Sequence, residues 1–229
     1  MDRHYLLYAL AGTVRLEADR QRWTLPPARA ALIRAGHKIT ITVTSKLTSA
    51  SVLFSPDFMD TPRHMLTVFE MSPLARELVR ECRDWGPENG PLSPFATRIF
   101  ETLADVVQQL ALAPSKCMLP SPESPQLKKA VQLTESMAHA DPTFDEIATQ
   151  SNQSPRALAR RFACEMGMTW REVLRHIRIM KAVEALATTD ARITEIAFSV
   201  GYGSLSGFNA AFRQQMHMSP TEYRASFKC

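Results

Sequence analysis

The sequence has few cysteines and no cysteine cluster. Its four cysteines, Cys82, Cys117, Cys164 and Cys229, form no Cys-x-x-Cys pair, and none has a histidine at the spacing of a metal site. A structural zinc site needs such closely spaced ligands. We therefore expect no metal and interpret the cysteines as reduced cytosolic thiols, with a redox sensor at Cys117 as the alternative.

Long apolar runs are missing as well. No segment is apolar over a length that spans a bilayer, and the first residues do not resemble a signal peptide. Hydrophobic residues make up 45% of the 229 residues, which is ordinary for a globular chain. We therefore expect a cytoplasmic protein with one large or two small domains.

The chain carries little excess charge of either sign. Its formal net charge is +4. Residues 1–124 hold 14 basic and 13 acidic side chains, whereas residues 125–229 hold 13 and 10. The positive excess lies mostly in the C-terminal part, which is the direction expected for a nucleic-acid partner.

The stretch 192–224, RITEIAFSVGYGSLSGFNAAFRQQMHMSPTEYR, predicts two helices joined by a tight turn. Thr194 is placed to cap the first helix, and Gly201 stands where helices often end in the left-handed conformation. Ser204 or Ser206 opens the second helix, whose Phe208 and Phe212 face inward. Ser219 and Pro220 then start a third helix. This order is typical of a helix-turn-helix, whose second helix enters the DNA major groove.

The same pattern occurs earlier, in residues 144–171, FDEIATQSNQSPRALARRFACEMGMTWR. The offset is about 49 residues across the first helix and about 50 after the turn, so the second copy has one extra turn residue. A solenoid needs three or more copies to bury a continuous core. Two copies joined by one long helix, from Trp170 to about Ala187, indicate a pair of modules instead.

Residues of about 125–229 resemble the DNA-binding domain of the AraC/XylS family of bacterial transcription regulators. The features that carry the resemblance are Ile193, Gly201-Tyr202, Phe208 with Phe212, Met218-Ser219-Pro220 and Tyr223. The resemblance implies a DNA-binding regulator, not an enzyme, with no cofactor. It implies promoter DNA as a partner, allows RNA polymerase as a second, and favours activation over repression.

Each predicted recognition helix has an outward face that could contact DNA. In the first module Leu158 and Phe162 face inward, and the predicted contact residues are Ser154, Arg156, Ala159, Arg160 and Arg161. In the second module they are Ser204, Ser206, Asn209, Ala210 and Arg213. Arginine reads guanine and asparagine reads adenine through paired hydrogen bonds. We expect the first module to give more base specificity, with Arg161 and Arg213 closer to the DNA backbone.

Residues of about 5–54 predict short strands of a small β sandwich or barrel. Ile39, Ile41 and Val43 alternate with threonines, which predicts a half-buried strand. The segment from Tyr5 to His37 resembles the cupin-like sensory domain often found ahead of this DNA-binding domain. The upstream strands usual in that family are expected to be missing, since the chain begins inside an early strand.

A small-molecule effector is the function that this resemblance implies for the N-terminal part. We predict a pocket lined by Tyr5, Tyr8, Trp23 and Phe54. No His-x-His with a following glutamate is present, and that set holds the metal of cupin enzymes. Oxygenase or isomerase chemistry is therefore not expected, and we interpret His4 and His37 as isolated polar residues.

Two helices follow, opened by Ser72-Pro73 and Ser93-Pro94. The first repeats Leu74, Leu78, Cys82 and Trp85. The second carries an apolar stripe in steps of three and four residues, which predicts either a homodimer seam or a helix packed on its own barrel. The stripe consists of Ala96, Ile99, Leu103, Val106 and Leu110.

The proline- and serine-rich segment 113–125 predicts a linker. The sequence as a whole therefore predicts an α+β chain with three parts. Residues 1–112 form a cupin-like sensory or dimerisation domain, 113–125 the linker, and 126–229 a DNA-binding domain of two helix-turn-helix modules. The leading hypothesis is a regulator modulated by a small molecule. The alternatives are a regulator whose N-terminal domain only dimerises and senses no ligand, and a cupin enzyme fused to DNA-binding helices.

Overall fold

A computed structural model describes residues 2–18, 21–27, 29–43, 46–86, 90–115 and 118–225. The chain forms two compact units. Residues 1–18 and 25–115 form the N-terminal unit, and residues 19–24 and 116–229 form the C-terminal unit. Antiparallel strands build the first and helices dominate the second, so the α+β prediction is confirmed. Cys117 and Cys229 lie outside the described residues.

The N-terminal unit is built on an antiparallel sheet. In chain order the strands up to residue 70 are β1 (His4–Ala11), β2 (Val14–Ala18), β3 (Gln21–Leu25), β4 (Arg29–Ile33), β5 (Thr40–Val43), β6 (Thr48–Phe54) and β7 (Leu66–Glu70). The order within this sheet is β6-β1-β4-β7. β2 pairs with β5 in a separate ladder, with Val14 opposite Val43.

Two helices cover one face of the first sheet. Helix α1 (Pro73–Glu81) is capped by Ser72 and α2 (Pro94–Ala111) by Ser93, as the two Ser-Pro pairs predict. The core beneath them joins the sheet to both helices. Its buried residues include Leu6, Tyr8, Leu32, Phe54, Phe69, Leu78, Val79, Cys82, Leu103 and Val107.

Two details of this unit differ from the sequence prediction. Leu74 of α1 is 55% exposed, because Ala75, Leu78 and Val79 form the buried side of that helix. Ile41 and Val43 are 42% and 56% exposed, although their alternation predicts a half-buried strand. β5 is an edge strand of its sheet, and all four of its residues are exposed.

In the C-terminal unit a short strand, β8 (Met118–Pro120), lies inside the segment predicted as an irregular linker. β8 pairs with β3, so that Trp23 lies opposite Met118. The proline- and serine-rich composition of the segment does not predict this strand, because its partner β3 lies about a hundred residues earlier in the chain. The helices that follow are α3 (Pro125–Met137), α4 (Phe144–Gln150), α5 (Pro155–Arg161), α6 (Trp170–Thr188), α7 (Ile193–Ser199), α8 (Leu205–Met216) and α9 (Pro220–Ala225).

The long helix α6 passes through two separate cores. Its first half contributes Trp170, Val173, Leu174 and Ile177 to a core with α3, α4 and α5. Its second half contributes residues from Ile179 to Leu186 to a core with α7, α8 and α9. We call the α4–α5 pair with its core the first module, and the α7–α8 pair with its core the second module.

Candidate nucleic-acid interface

The same backbone turn follows the first helix of each module. Asn152 has φ 57° and Gly201 has φ 96°, both in the left-handed region. The next amide closes the turn in both modules. Gln153 N–H donates to the Ala148 carbonyl at 2.9 Å, and Tyr202 N–H donates to the Ala197 carbonyl at 3.0 Å. The position of Gly201 is as the sequence predicts, and both turns end their helix with the same hydrogen bonds.

Each recognition helix begins at a serine cap. Ser154 Oγ accepts from Ala157 N–H at 3.3 Å, and Ser204 Oγ accepts from Gly207 N–H at 3.2 Å. Of the two predicted openings of α8, Ser204 is therefore the cap, and Ser206 lies within the helix. The offset is 49 between Gln153 and Tyr202 but 50 between the two caps. The extra turn residue of the second module is thus Gly203.

In the first module, α5 buries its apolar side and exposes its arginines. Leu158 and Phe162 have no exposed surface, whereas Arg156, Ala159 and Arg160 are exposed. Arg161 is half-buried, and its guanidinium lies 3.5 Å from the carboxylate of Glu165. Beyond Arg161 the chain continues as a π-helical turn from Phe162 to Met166. The outward face of α5 is therefore short and strongly basic.

In the second module, α8 runs unbroken for twelve residues. Phe208, Phe212 and Met216 are buried, at the same spacing as Leu158, Phe162 and Met166 of the first module. Ser206, Ala210 and Arg213 are exposed, and Asn209 is half-buried. The outward face of α8 thus carries small and neutral side chains, with one cation near its end.

A polar side chain near the end of each recognition helix ties that helix to a neighbour, and the two side chains stand 50 residues apart. Glu165 accepts from the backbone N–H groups of Glu123 at 3.0 Å and Ser124 at 2.9 Å, where α3 begins. Gln215 donates its side-chain amide to Nδ1 of His176 on α6 at 2.6 Å. The two positions are equivalent in the repeat, but the chemistry of the contact differs between the modules.

The two contacts differ in how they shift pKa values. Burial raises the pKa of Glu165, but hydrogen bonds from Ser124 and Glu123 and the contact with Arg161 outweigh it, so the net pKa is lowered. Burial, and then the positive charge of Arg22 on β3, lower the pKa of His176 to about 4. His176 is therefore neutral near pH 7 and accepts the hydrogen bond from Gln215.

Glutamates fix the starts of several helices in the C-terminal unit. Glu146 accepts from Thr143 N–H, Glu172 from Thr169 N–H and Glu222 from Ser219 N–H. These hydrogen bonds lower the pKa of all three carboxyl groups.

In α7 the equivalent glutamate fixes the start of the helix in the same way. Glu195 accepts from Arg192 N–H at 2.8 Å, so the helix begins at Ile193. The prediction that Thr194 caps this helix is wrong, because Thr194 lies inside it.

The four predicted effector residues lie in different surroundings. Tyr8 and Phe54 both belong to the core under α1 and α2. Tyr5 is three residues from Tyr8 on the same strand and therefore points to the opposite face. Its hydroxyl lies 3.0 Å from the hydroxyl of Ser51. Trp23 belongs to the C-terminal unit, where it is 6% exposed.

The predicted seam residues of α2 lie against their own unit. Ala96 and Leu103 have no exposed surface, while Ile99, Val106 and Leu110 are partly buried against the same core. The apolar stripe covers the sheet, so Ala96 and Leu103 are not free to meet a second copy. This arrangement corresponds to the alternative in which the helix packs on its own barrel.

Within the described residues, no three histidine, cysteine, aspartate or glutamate side chains are grouped as metal ligands. In the same part of the chain no helix is long and apolar enough to cross a bilayer.

The chain is similar to several known proteins. Residues 147–226 match the family model described as a helix-turn-helix domain. The HTH-type transcriptional regulator MtrA of Neisseria gonorrhoeae is 36% identical over 81 residues, which are 35% of this chain and 27% of MtrA. The HTH-type transcriptional regulator NimR of Escherichia coli strain K12 is 23% identical over 220 residues, or 96% of this chain and 79% of NimR. The solved structure of ToxT from Vibrio cholerae O395 is 15% identical with a TM-score of 0.45, over 98% of this chain and 89% of that chain.

The repeated turns, the serine caps and the family match define residues 147–226 as a helix-turn-helix DNA-binding domain. The match to MtrA spans only 27% of that protein and 35% of this chain. Residues 147–226 thus form a helix-turn-helix domain of the AraC type, and the likeness to NimR runs along 96% of this chain at 23% identity. These relatives are named as transcriptional regulators and not as enzymes.

Proposed function

We propose that this chain regulates transcription by binding promoter DNA with α5 and α8. The observation that supports this proposal most strongly is the repeated construction of the two modules. Each recognition helix follows the same left-handed turn, starts at a serine cap and buries its apolar side chains at the same spacing. Each therefore presents its opposite face outward, as an element that reads the major groove must.

The roles of the side chains follow from their exposure. Arg156 and Arg160 stand one turn apart on α5, and we assign them to a base edge and a phosphate. A bidentate arginine–guanine pair contributes about 1–3 kcal/mol of discrimination. We assign Asn209 to an adenine and Arg213 to phosphate. Ser154, Ala159, Ser204, Ser206 and Ala210 let the backbone approach the DNA, and Arg161 lies at the rim of the contact.

The length of α6 supports a tandem site. Its nineteen residues make a helix about 28 Å long, and one turn of DNA is about 34 Å. Two recognition helices held by this element suit successive major grooves on one face of the duplex. Because the modules are arranged in tandem within one chain, the expected site is asymmetric and not palindromic.

The N-terminal unit is proposed to control this binding through a small molecule. A second proposal, in which the unit senses no ligand and only dimerises, is favoured by one observation. Tyr8 and Phe54, two of the four predicted pocket residues, are 6% and 2% exposed within a packed core. A thermal-shift screen of apolar and acidic metabolites separates the two proposals, because only a sensor changes its melting temperature and its DNA affinity with the same compound.

Activation, with RNA polymerase as a partner, is proposed from the family resemblance alone. A reporter gene behind a selected binding site decides the sign. Higher expression in cells that carry the chain supports activation, and lower expression overturns it.

The test of the proposed function is selection of bound duplexes from random DNA at two salt concentrations. We expect a long site with two separated blocks of preferred bases. Arg156→Ala and Arg160→Ala should each change one block and leave the other intact, and Arg171→Ala on α6 serves as the matched control. Binding without base preference that disappears as salt rises would reduce the interaction to phosphate attraction and overturn the roles given to Arg156, Arg160 and Asn209.

A further inference from the structure

A buried arginine lies on α6 between the two cores. Arg178 is 9% exposed, and its neighbours in sequence, Ile177 and Ile179, belong to the first and the second core respectively. Nothing in the sequence pattern separates it from the exposed arginines of the same helix, Arg171 and Arg175. A buried arginine is retained only where its donors find partners.

The partners of Arg178 lie in the first module's half of the unit. Its Nε donates to the carbonyl of Ala138 at 2.9 Å, and its Nη2 donates to Oδ1 of Asp141 at 2.8 Å. Ala138 belongs to the first core and starts the 3-10 turn after α3. Asp141 has φ 52°, so the chain between α3 and α4 turns there in the left-handed conformation. The guanidinium therefore holds the entry to the first module.

The turn of the second module touches the same group of atoms. The guanidinium carbon of Arg178 lies 5.8 Å from the centre of the Tyr202 ring. A Cβ added to Gly201 would lie 2.3 Å from the carbonyl oxygen of Ala138 and 2.8 Å from Nη2 of Arg178. Only a residue without a side chain fits so close to this carbonyl. The turn between α7 and α8 thus lies directly against the entry to the first module.

An open cleft of about 570 Å³ lies beside this contact. Thr143 and Phe144 of the first module, Leu174 of α6 and Tyr202 of the second module line it, together with Arg178. Open space therefore separates the two modules at the cleft. Arg178 and Gly201 lie at a contact between the modules beside this cleft.

We propose that Arg178 is a positioning residue: with Ala138, Asp141 and Gly201 it fixes the distance and rotation between the two recognition helices. It thereby determines the spacing between two blocks of bases that the chain accepts. This inference rests on the proposed function, because spacing has meaning only for a site read by both modules. Each base pair added between the blocks moves one module by about 3.4 Å along the duplex and rotates it around the axis, so a rigid joint rejects altered spacings and a loose joint tolerates them.

The experiment uses the full chain and a selected site in which the spacer between the blocks is one or two base pairs shorter or longer. For the unaltered chain we expect affinity to fall roughly tenfold for a one-base-pair change, the size of one lost specific contact. Arg178→Met should reduce this penalty to less than about threefold, since both hydrogen bonds to the first module are lost. Base preference within each block should stay the same.

Two further variants and a control make the result specific. Asp141→Asn removes only the ion pair and keeps a residue that tolerates the left-handed conformation, so an intermediate penalty is expected. Arg178→Lys keeps the charge but cannot reach both acceptors in the fork geometry of arginine, and should also be intermediate. Arg171→Met, an exposed arginine of the same helix, should discriminate spacers like the unaltered chain.

Each outcome supports or overturns a defined statement. If Arg178→Met and Asp141→Asn fold and still reject altered spacers as sharply as the unaltered chain, Arg178 is only structural and the inference is wrong. If Arg178→Met does not fold by circular dichroism, Asp141→Asn decides alone. If the unaltered chain shows no two-block site, the proposed function fails first.

Discussion

Asn152 and Gly201 hold the same left-handed position in the two modules, but their surroundings differ. Asn152 is exposed, and a short polar side chain tolerates this conformation. Gly201 lies against the carbonyl of Ala138, where a Cβ would overlap it. The backbone turn is thus shared, and the residue that occupies it depends on what the turn touches.

The same contrast holds for the recognition helices. α5 is short, carries two exposed arginines and ends in a π-helical turn, whereas α8 is longer and presents small neutral residues. Both cover the same set of buried positions. The scaffold is therefore duplicated and the outward chemistry is not, which is the arrangement expected of two modules that contact different bases.

The largest expected effect concerns the independence of the two cores. Phe162→Ala and Phe212→Ala each remove a fully buried ring, and each should lower the free energy of unfolding by about 3–5 kcal/mol. Because the rings lie in separate cores, hydrogen exchange should rise mainly in α3 to α5 for the first variant and in α7 to α9 for the second. Equal loss of protection in both modules for either variant would show that the two cores unfold as one.

The next effect concerns the turn at Gly201 and its contact with Ala138. Gly201→Ala meets both the left-handed backbone and the Ala138 carbonyl, and we expect a loss of more than about 2 kcal/mol of unfolding free energy. Gly167→Ala is the matched control, since it also has positive φ but meets nothing within 4 Å among the described residues. It should cost about 1–2 kcal/mol. Equal losses in urea unfolding would mean that the contact with Ala138 adds nothing.

A smaller effect compares the two outward faces. Arg160→Ala should lower discrimination at one base position by about 1–3 kcal/mol, whereas Asn209→Ala, on a half-buried residue, should have the smaller effect. Competition binding with single-base variants of the selected site measures both. A greater loss of preference from Asn209→Ala would reverse the proposed ranking of the modules.

Local patterns predicted much of the DNA-binding domain. The serine caps, the left-handed Gly201 and the buried Leu158, Phe162, Phe208 and Phe212 follow from residue types at helical spacing. Such features depend on residues within one or two helical turns. Each of them occurs in both copies of the repeat.

Features that depend on distant residues were missed. β8 exists because β3 lies beside it, and Arg178 is buried because Ala138 and Asp141, about forty residues earlier, accept its hydrogen bonds. The apolar stripe of α2 does not reveal whether a sheet or a second copy covers it. The effector prediction grouped Tyr5 with Tyr8, although strand geometry places them on opposite faces.

The smallest expected effect separates the neutral and the charged contacts at the ends of the recognition helices. The pKa of His176 is 6.5 in the unfolded chain, and burial lowers it to about 4 in the folded chain. The unfolded state therefore holds more protons between these values, and stability falls as pH drops from about 6.5 toward 4. Between pH 7 and pH 5 we expect a loss on the order of 1–2 kcal/mol.

The contribution of Glu165 to stability depends on pH in a different way. Its lowered pKa means that its contribution is fully present above the usual carboxylate range and is lost only as pH falls through the lower, folded value. Hydrogen exchange at pH 7 and pH 5 should therefore show α8 loosening while α5 stays protected. His176→Gln, which cannot gain a proton, should abolish this loosening, and Glu165→Gln should not. If α5 and α8 lost protection together in the unaltered chain, the two contacts would not act separately, and the modules would be tied more tightly than their distinct cores imply.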